Sequence, residues 1–385
     1  CTRVSMLFVL ALFSRHAITR SAGVMASSIF KKPACSAVAT MEERSQAALL
    51  QRMRATLPPD APELYAREWA EAAPSSGAAA AGVPLRVVQF NILADGLSGK
   101  DENKGGFTES PPASLDWDYR SARLVEEVLR HGELPDIIGM SEVDHFHDWF
   151  EPVLAELGYA GAFISKPNSP CRNSLDPTLS DGCALFWQKH KVAMLDLETM
   201  NYDSLNEHGR STGTKANQVA LLATLQTSGS VPFVVAVTHL VAPKNRKGER
   251  TRAQQVLQLV DRLHAKGLPC LITTDLNASP IQGSKDYAPE AYPVATTHTL
   301  RLRSAYADIL GSEPEYTTWK RRGDHEDHHT IDYIFLSESL SVSRVLLPPD
   351  GKEVDPARFP GWRYPSDHVA LFADVLVPSE SAEQS

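Results

Sequence analysis

Residues 268–280 read LPCLITTDLNASP, and the rest of the chain can be placed from them. Cys270 to Thr274 is a short apolar and β-branched run between Gly267-Leu268-Pro269 and Asn277-Ala278-Ser279-Pro280, the pattern of a buried strand. Asp275 and Asn277 follow at its end with one residue between them. Side chains two apart on an extended chain point the same way. A carboxylate and a carboxamide therefore project together, able to orient a water or to bind a hard cation or a phosphate oxygen. An Asx turn closing the strand is the commoner explanation for such a pair taken alone. What shifts the balance is that several other strand ends finish in the same way.

Short apolar runs recur on both sides. Strands are expected at Leu85 to Asn91, Asp136 to Glu142, Gly161 to Ser165, Gly182 to Trp187, Val219 to Leu225, Phe233 to His239, Thr330 to Leu336 and Val369 to Val375. Helices are expected at Trp117 to His131, Phe146 to Leu157 and Glu249 to Lys266, and Asp95 to Pro112 reads as a polar, Gly-rich loop. So many strands with so few crossover helices predict an α/β fold of two packed sheets flanked by helices, not a doubly wound sheet.

The first 40 residues read as an address. They carry Arg3, Arg15, Arg20, Lys31 and Lys32 and no acid, and their apolar run Met6 to Phe13 is too short to span a bilayer. This composition predicts an organellar transit peptide, a mitochondrial one in preference to a plastid one, with a secretory signal as the competing reading. Residues 41–82 read as a helical and linker extension. Leu49, Leu50, Met53 and Leu57 give one helix stopped by Pro58-Pro59; a second short helix is expected from Asp60 through Trp69; Ala72 to Gly82 is an Ala/Gly/Ser-rich linker. The catalytic domain is then expected over 83–377, with 378–385 a disordered tail. Formal net charge is −9. A body that acidic excludes binding long nucleic acid through overall charge, so any phosphate contact must come from a local basic pocket. The five cysteines show no CxxC spacing; Cys183 and Cys270 sit in apolar runs and read as core.

The strand ends gather one kind of chemistry. The first finishes at Asn91, the second at Glu142 with Asp144 just beyond, and the Phe233 strand at Thr238-His239; Asp332 lies inside an apolar run, and Ser366-Asp367-His368 precedes the last strand. Each has an ordinary explanation as a turn residue or a satisfied buried group. Together they supply carboxylates, carboxamides and two imidazoles with almost no thiol, a set that selects Mg²⁺ or Mn²⁺ over zinc. His325, His328 and His329 show no regular spacing and read as a solvated loop; His145 and His147 read as surface positions at a helix start.

QFNIL (89–93), SEVD (141–144), THL (238–240), TDLNASP (274–280), TIDYIF (330–335) and YPSDH (364–368) occur in this order. Between them lie SKPNSPC (165–171), DGCALFW (181–187), NQVALLATL (217–225) and YTTWKRR (316–322). From Leu85 to about Val377 the chain resembles the endonuclease/exonuclease/phosphatase superfamily, in its CCR4-type deadenylase branch. The resemblance implies a DNase I-like, four-layer α/β sandwich of two packed mixed β-sheets flanked by helices, with the site where both sheets end. It implies that Glu142 and Asn91 hold a catalytic Mg²⁺, that Asp275 orients and deprotonates the attacking water, and that Asn277 fixes a phosphate oxygen. His239 and His368 would flank the phosphorus, Asp332 would orient an imidazole, and Asp367 would support a second cation. Positioning and charge cancellation are what phosphoester hydrolysis needs.

The same resemblance implies a Mg²⁺-dependent phosphoester hydrolase acting on the 2′-phosphate of NADP(H), with a 3′-to-5′ exonuclease on the 3′ end of poly(A) RNA as the alternative. A catalytically silent domain binding nucleotides or partners through residues 41–82 is the reading from another class. Lys166 and Arg322 match basic positions of the branch's substrate pocket. Val241 and Pro243 stand where the branch has basic residues, and Lys244 follows at once as a substitute. Thr274 and Ser141 replace a usual glycine and glutamine. A monomer without a membrane span is expected.

Overall fold

The computed structural model describes residues 35–73, 82–99, 106–174, 176–206, 209–282 and 287–380, with side chains from residue 45 onward. Most of the expected address segment, part of the linker and most of the tail lie outside these residues. The compact unit runs Met41–Ser385.

Two sheets carry the fold. The first has seven strands: β1 (Trp69–Glu71), β2 (Gly82–Asn91), β3 (Ile137–Val143), β4 (Tyr159–Ser165), β5 (Gly182–Gln188), β14 (Ser341–Leu346) and β15 (Leu371–Pro378), in the order β1-β14-β15-β2-β3-β5-β4. The second has six: β6 (Val192–Leu205), β7 (Ser211–Thr227), β8 (Phe233–His239), β9 (Cys270–Asp275), β10 (Arg303–Ser304) and β13 (Asp332–Leu336), in the order β10-β13-β9-β8-β7-β6. Each sheet has one parallel pair at its centre, β2–β3 and β8–β9, and antiparallel neighbours outside it.

Alternation along the strands builds the layers. Leu85 and Val87 of β2 face Val235 and Val237 of β8 in the core between the sheets. Val88 and Phe90 turn the other way, onto α1 (Cys35–Ala55), α2 (Trp117–Leu129) and α3 (Glu151–Ala155), which is entered through a π-turn at Phe146–Phe150. Val234 and Ala236 turn onto α4 (Arg246–His264) and α5 (Ala291–Thr297). A short α6 (Ala305–Leu310) covers the β13–β14 side. The result is the expected helix–sheet–sheet–helix sandwich. The sheets come close because Gly139 has no side chain: a Cβ there would meet Thr273 Oγ1 at 2.0 Å.

Several expectations are corrected. The second helix, from Asp60, does not form: after Pro58, Pro59 and Pro62 the chain runs extended into β1, which pairs antiparallel with β14. Arg67 fixes this path by donating to Leu346 O, Leu347 O and Glu127 Oε1. The folded body therefore begins well before Val83, since Leu49, Met53 and Tyr65 pack in its core. The histidine-rich stretch is not a loop: β11 (Thr318–Arg322) and β12 (His325–His329) form a separate two-stranded ribbon. The long β6 is not expected from the sequence, because only Val192 and Tyr202 of its fourteen residues are buried and it carries no buried run. Among the described residues no helix is long and apolar enough to cross a membrane.

Candidate active site

Both sheets end at one edge, and the expected residues meet there. In the β8–β9 and β13–β9 registers, His239 and Asp332 both stand opposite Asp275. From the other sheet Asn91 Nδ2 donates to Asp275 Oδ2 at 2.9 Å, and Gln89 Nε2 donates to Asp332 Oδ1 at 2.7 Å. These bonds splice the sheets at the site. Glu142 arrives by a different device: a bulge between Ser141 and Val143 puts it at φ 58° and turns its carboxylate toward the cavity. Asn277 is also left-handed, at φ 55°, held by its N–H donating to Asp275 Oδ1 at 2.9 Å. Backbone strain at a site is tolerated when surrounding bonds over-determine it.

The buried charges are arranged in pairs. Burial works against the Asp275 carboxylate, yet His239, His368 and Lys244 outweigh it and hold it down to about 2. His368 Nδ1 bonds Asp332 Oδ2 at 2.9 Å. Burial opposes the charge on His368, but Asp332, Asp367 and Asp275 outweigh it and lift the imidazole to about 9. Burial, with Asp275 close by, raises Asp332 to about 6 even against His368. His239 goes the other way: burial and then Lys166 lower it. The two imidazoles are thus pushed in opposite directions, His368 toward its charged form and His239 toward its neutral one.

A cavity of about 540 Å³ opens over this edge, lined among others by Glu142, His239, Asp275, Asn277, Asp367 and His368. Arg322 lines it and lies 4.5 Å over the Phe107 ring. Lys320, which the sequence reading passed over, lines it too and donates to Asp367 Oδ2 at 2.6 Å. Its signal was available: residues 320 and 322 share one face of a strand. Gln89, two before Asn91, was missed in the same way. Lys166 is buried behind His239, 3.4 Å from its Nδ1, and donates to Asp181 Oδ2 at 2.5 Å. Lys244 does not line this cavity: its Nζ donates to Asn277 O and Oδ1, both at 2.8 Å, and it borders a neighbouring cavity of about 280 Å³.

Among the described residues the tightest group of ligand-type side chains is Asp275, Asp332 and His368, with one atom of each within 4.8 Å of the others. Two of those are already bonded to each other. Asn91 Oδ1 accepts from Leu93 N at 3.0 Å, while Glu142 reaches the cavity. Asp367 Oδ1 is buried with no hydrogen-bond partner among the described residues. Oxygen donors predominate, and Cys171, Cys183 and Cys270 are buried, their thiols pushed up by burial. This donor set fits a hard divalent cation.

The profile of the Endonuclease/Exonuclease/phosphatase family matches residues 88–368. The chain belongs to this family. Members of the endonuclease/exonuclease/phosphatase family are generally divalent-metal dependent, and the chain is a phosphoester hydrolase of that family. It is 36% identical to human nocturnin over 308 residues, covering 77% of this chain and 66% of the human protein. It is 22% identical over 375 residues to the Neurospora crassa CCR4-Not complex 3′-5′-exoribonuclease subunit Ccr4, covering 78% of this chain and 46% of that one. The solved human nocturnin catalytic domain with bound sulfate superposes with a TM-score of 0.62 at 31% identity, over 81% of this chain and 97% of that one. The chain spans about two thirds of the length of nocturnin and under half of Ccr4.

Proposed function

We propose that the chain is a Mg²⁺-dependent phosphatase that removes the 2′-phosphate of NADP(H). The observation that carries this reading is that Lys320 and Arg322, both ion-paired with Asp367 at 2.6 and 3.8 Å, line the same cavity as Glu142, Asp275 and His368. An anionic ligand of nucleotide size with a terminal phosphate suits a cavity that joins basic and acidic side chains in this way. Glu142 and Asp367 would hold Mg²⁺ with Asn91 beside them, and the ion would cancel charge on the phosphoryl oxygens. Asp275 orients the attacking water and stays ionised. His368, charged through Asp332, donates to a phosphoryl oxygen where negative charge develops. Asn277 and neutral His239 bind the phosphate from the other side. Release of phosphate and NADH from NADPH by purified protein with Mg²⁺ tests the assignment; no release, with E142A as the inactive control, rejects it.

A second reading is a 3′-to-5′ exoribonuclease on poly(A). It is favoured by the likeness to the Ccr4 subunit and by the second cavity beyond Asn277, which gives a longer ligand somewhere to go. Stepwise shortening of labelled oligo(A) without attack on NADPH would select it. We also read the N-terminal segment as a mitochondrial address, testable by locating a fluorescent fusion of residues 1–40.

A further inference from the structure

We propose that Arg120, in the first turn of α2, is a positioning residue that sets the cation site by stapling together the two segments that carry Asn91 and Asp367. Arg120 is wholly buried. Among the described residues, every acceptor it reaches is a backbone carbonyl. Its Nη1 divides two protons among Ile92 O at 3.2 Å, Leu93 O at 2.8 Å and Pro365 O at 3.0 Å, and its Nε donates to Leu115 O at 3.3 Å. Ile92 and Leu93 come straight after Asn91, and Pro365 stands two residues before Asp367. Ser366 doubles the joint: its Oγ donates to Asn91 O at 2.7 Å and accepts from His368 N at 3.1 Å. Successive carbonyls from Asn91 to Leu93 are thus taken up in holding one loop against the other. An interior guanidinium bonded to no carboxylate is destabilising by itself, and Nη2 has no hydrogen-bond partner among the described residues. Burial pulls the Arg120 pKa down, against the field of Asp95, Asp144, Asp367 and Glu142.

The opposite charge grips the other end of the same turn. Asp144, two residues beyond Glu142, accepts from Asp95 N at 3.1 Å and from Gly96 N at 2.9 Å. A cation on the carbonyls of Ile92 and Leu93 and an anion on the amides of Asp95 and Gly96 hold the turn in one shape, with Leu93 at φ 55°. Within it Ala94 N reaches Glu142 Oε2 at 3.4 Å. The segments bearing Asn91, Glu142 and Asp367 therefore meet at one turn, pinned from behind by α2. Without Arg120 the Asn91 and Asp367 segments are free to drift, and Mg²⁺ demands near-ideal octahedral geometry. Charge alone predicts the reverse, since deleting a buried positive charge beside a cation site should tighten metal binding. The sign of the change separates positioning from electrostatics. The proposal rests on the divalent-metal reading of the site and not on which phosphoester is cleaved.

The test is isothermal titration of Mg²⁺ into the full chain, comparing the parent with R120M and S366A, with no substrate present. R120M should bind Mg²⁺ roughly 10- to 100-fold more weakly, the range seen when outer partners of metal ligands are lost. S366A keeps Arg120 and its charge and removes one bond of the same joint, so it should weaken binding in the same direction by a smaller factor. Parent affinity in folded R120M overturns the proposal, whatever happens to its Tm, because a purely structural role would lower Tm alone. Tighter binding in R120M overturns it too, leaving Arg120 as a repelling charge. Where R120M does not fold, parent affinity in S366A is the overturning result. A parent that binds no Mg²⁺ fails the divalent-metal reading first, and the proposal with it; a parent that binds while both variants match it sinks the stapling alone.

Discussion

His239 and His368 each bring Nε2 within 4 Å of the same oxygen, Asp275 Oδ2, at 3.4 and 3.9 Å, yet their environments push them to opposite charge states. Asp332 and Lys166 make the difference. Asp332 bonds one ring; the Lys166 ammonium lies against the other. Two rings of one chemical type thereby acquire two jobs around a single carboxylate.

Replacing Asp332 by Asn removes the negative partner that keeps His368 charged. The imidazole pKa should drop, and kcat should fall by about 100-fold or more, the range for losing a positioned acid or base. Steady-state kinetics on the folded variant check this. An unchanged kcat would show that His368 does not act as a cation.

Glu142 should govern metal response. Mg²⁺ should raise the Tm of the parent, chelation should abolish hydrolysis reversibly, and E142A should lose both effects while keeping its circular dichroism spectrum. A Mg²⁺-dependent Tm shift that survives in E142A would move the cation elsewhere along the acidic floor.

Glu127 predicts a pH dependence far from the site. It is fully buried, and Arg67 and Arg130 bond it at 2.7 and 2.8 Å. Burial opposes its charge, but Arg130, His131 and Arg67 outweigh it and hold it far below its ordinary 4.5. A depressed folded value means stability that is present above about pH 4.5 and lost as pH falls toward the folded value. E127A should cost about 3–5 kcal/mol at neutral pH by leaving buried cations uncompensated. The Tm gap between E127A and the parent should narrow steadily below about pH 4.5. A constant gap would mean the ion pairs contribute nothing.

Thr274 offers the opposite sign. Its Oγ1 is buried beside Ile272, Leu276 and Val260 with no hydrogen-bond partner among the described residues. T274V removes a desolvated hydroxyl at constant shape and should stabilise by about 1 kcal/mol, the cost of an unsatisfied buried group. Chemical denaturation measures it; destabilisation would reveal a partner such as a buried water.

The architecture was legible wherever a strand is buried on both faces. β8 and β9 read as apolar runs, and their polar tips, His239 and Asp275, announce the edge of the sandwich. What stayed hidden depends on tertiary context. β1 is three residues long and exists only because β14 lies beside it and Arg67 ties it down. β12 is HEDHH, with no apolar signature for pairing. The bulge that turns Glu142 leaves no mark on composition, since it depends on how β3 meets β5. Lys244 was recognisable as a basic residue near the site, but a flexible stem hides where its ammonium ends. Asp332 was legible as an acid in an apolar run, while its partners Gln89 and Thr317 come from distant segments.

Lys320 and Arg322 stand on the β11–β12 ribbon, which pairs with neither large sheet and touches the body through isolated bridges at Thr318 and Lys320. The groups that greet a ligand and the groups that attack it are therefore wired together: Thr318 bridges His368 and its Oγ1 donates to Asp367 O at 2.7 Å, while Lys320 holds the Asp367 carboxylate at 2.6 Å. A ribbon remodelled to admit another molecule would tug on the machinery of cleavage, so a change of ligand at this appendage demands compensation at Asp367 and His368.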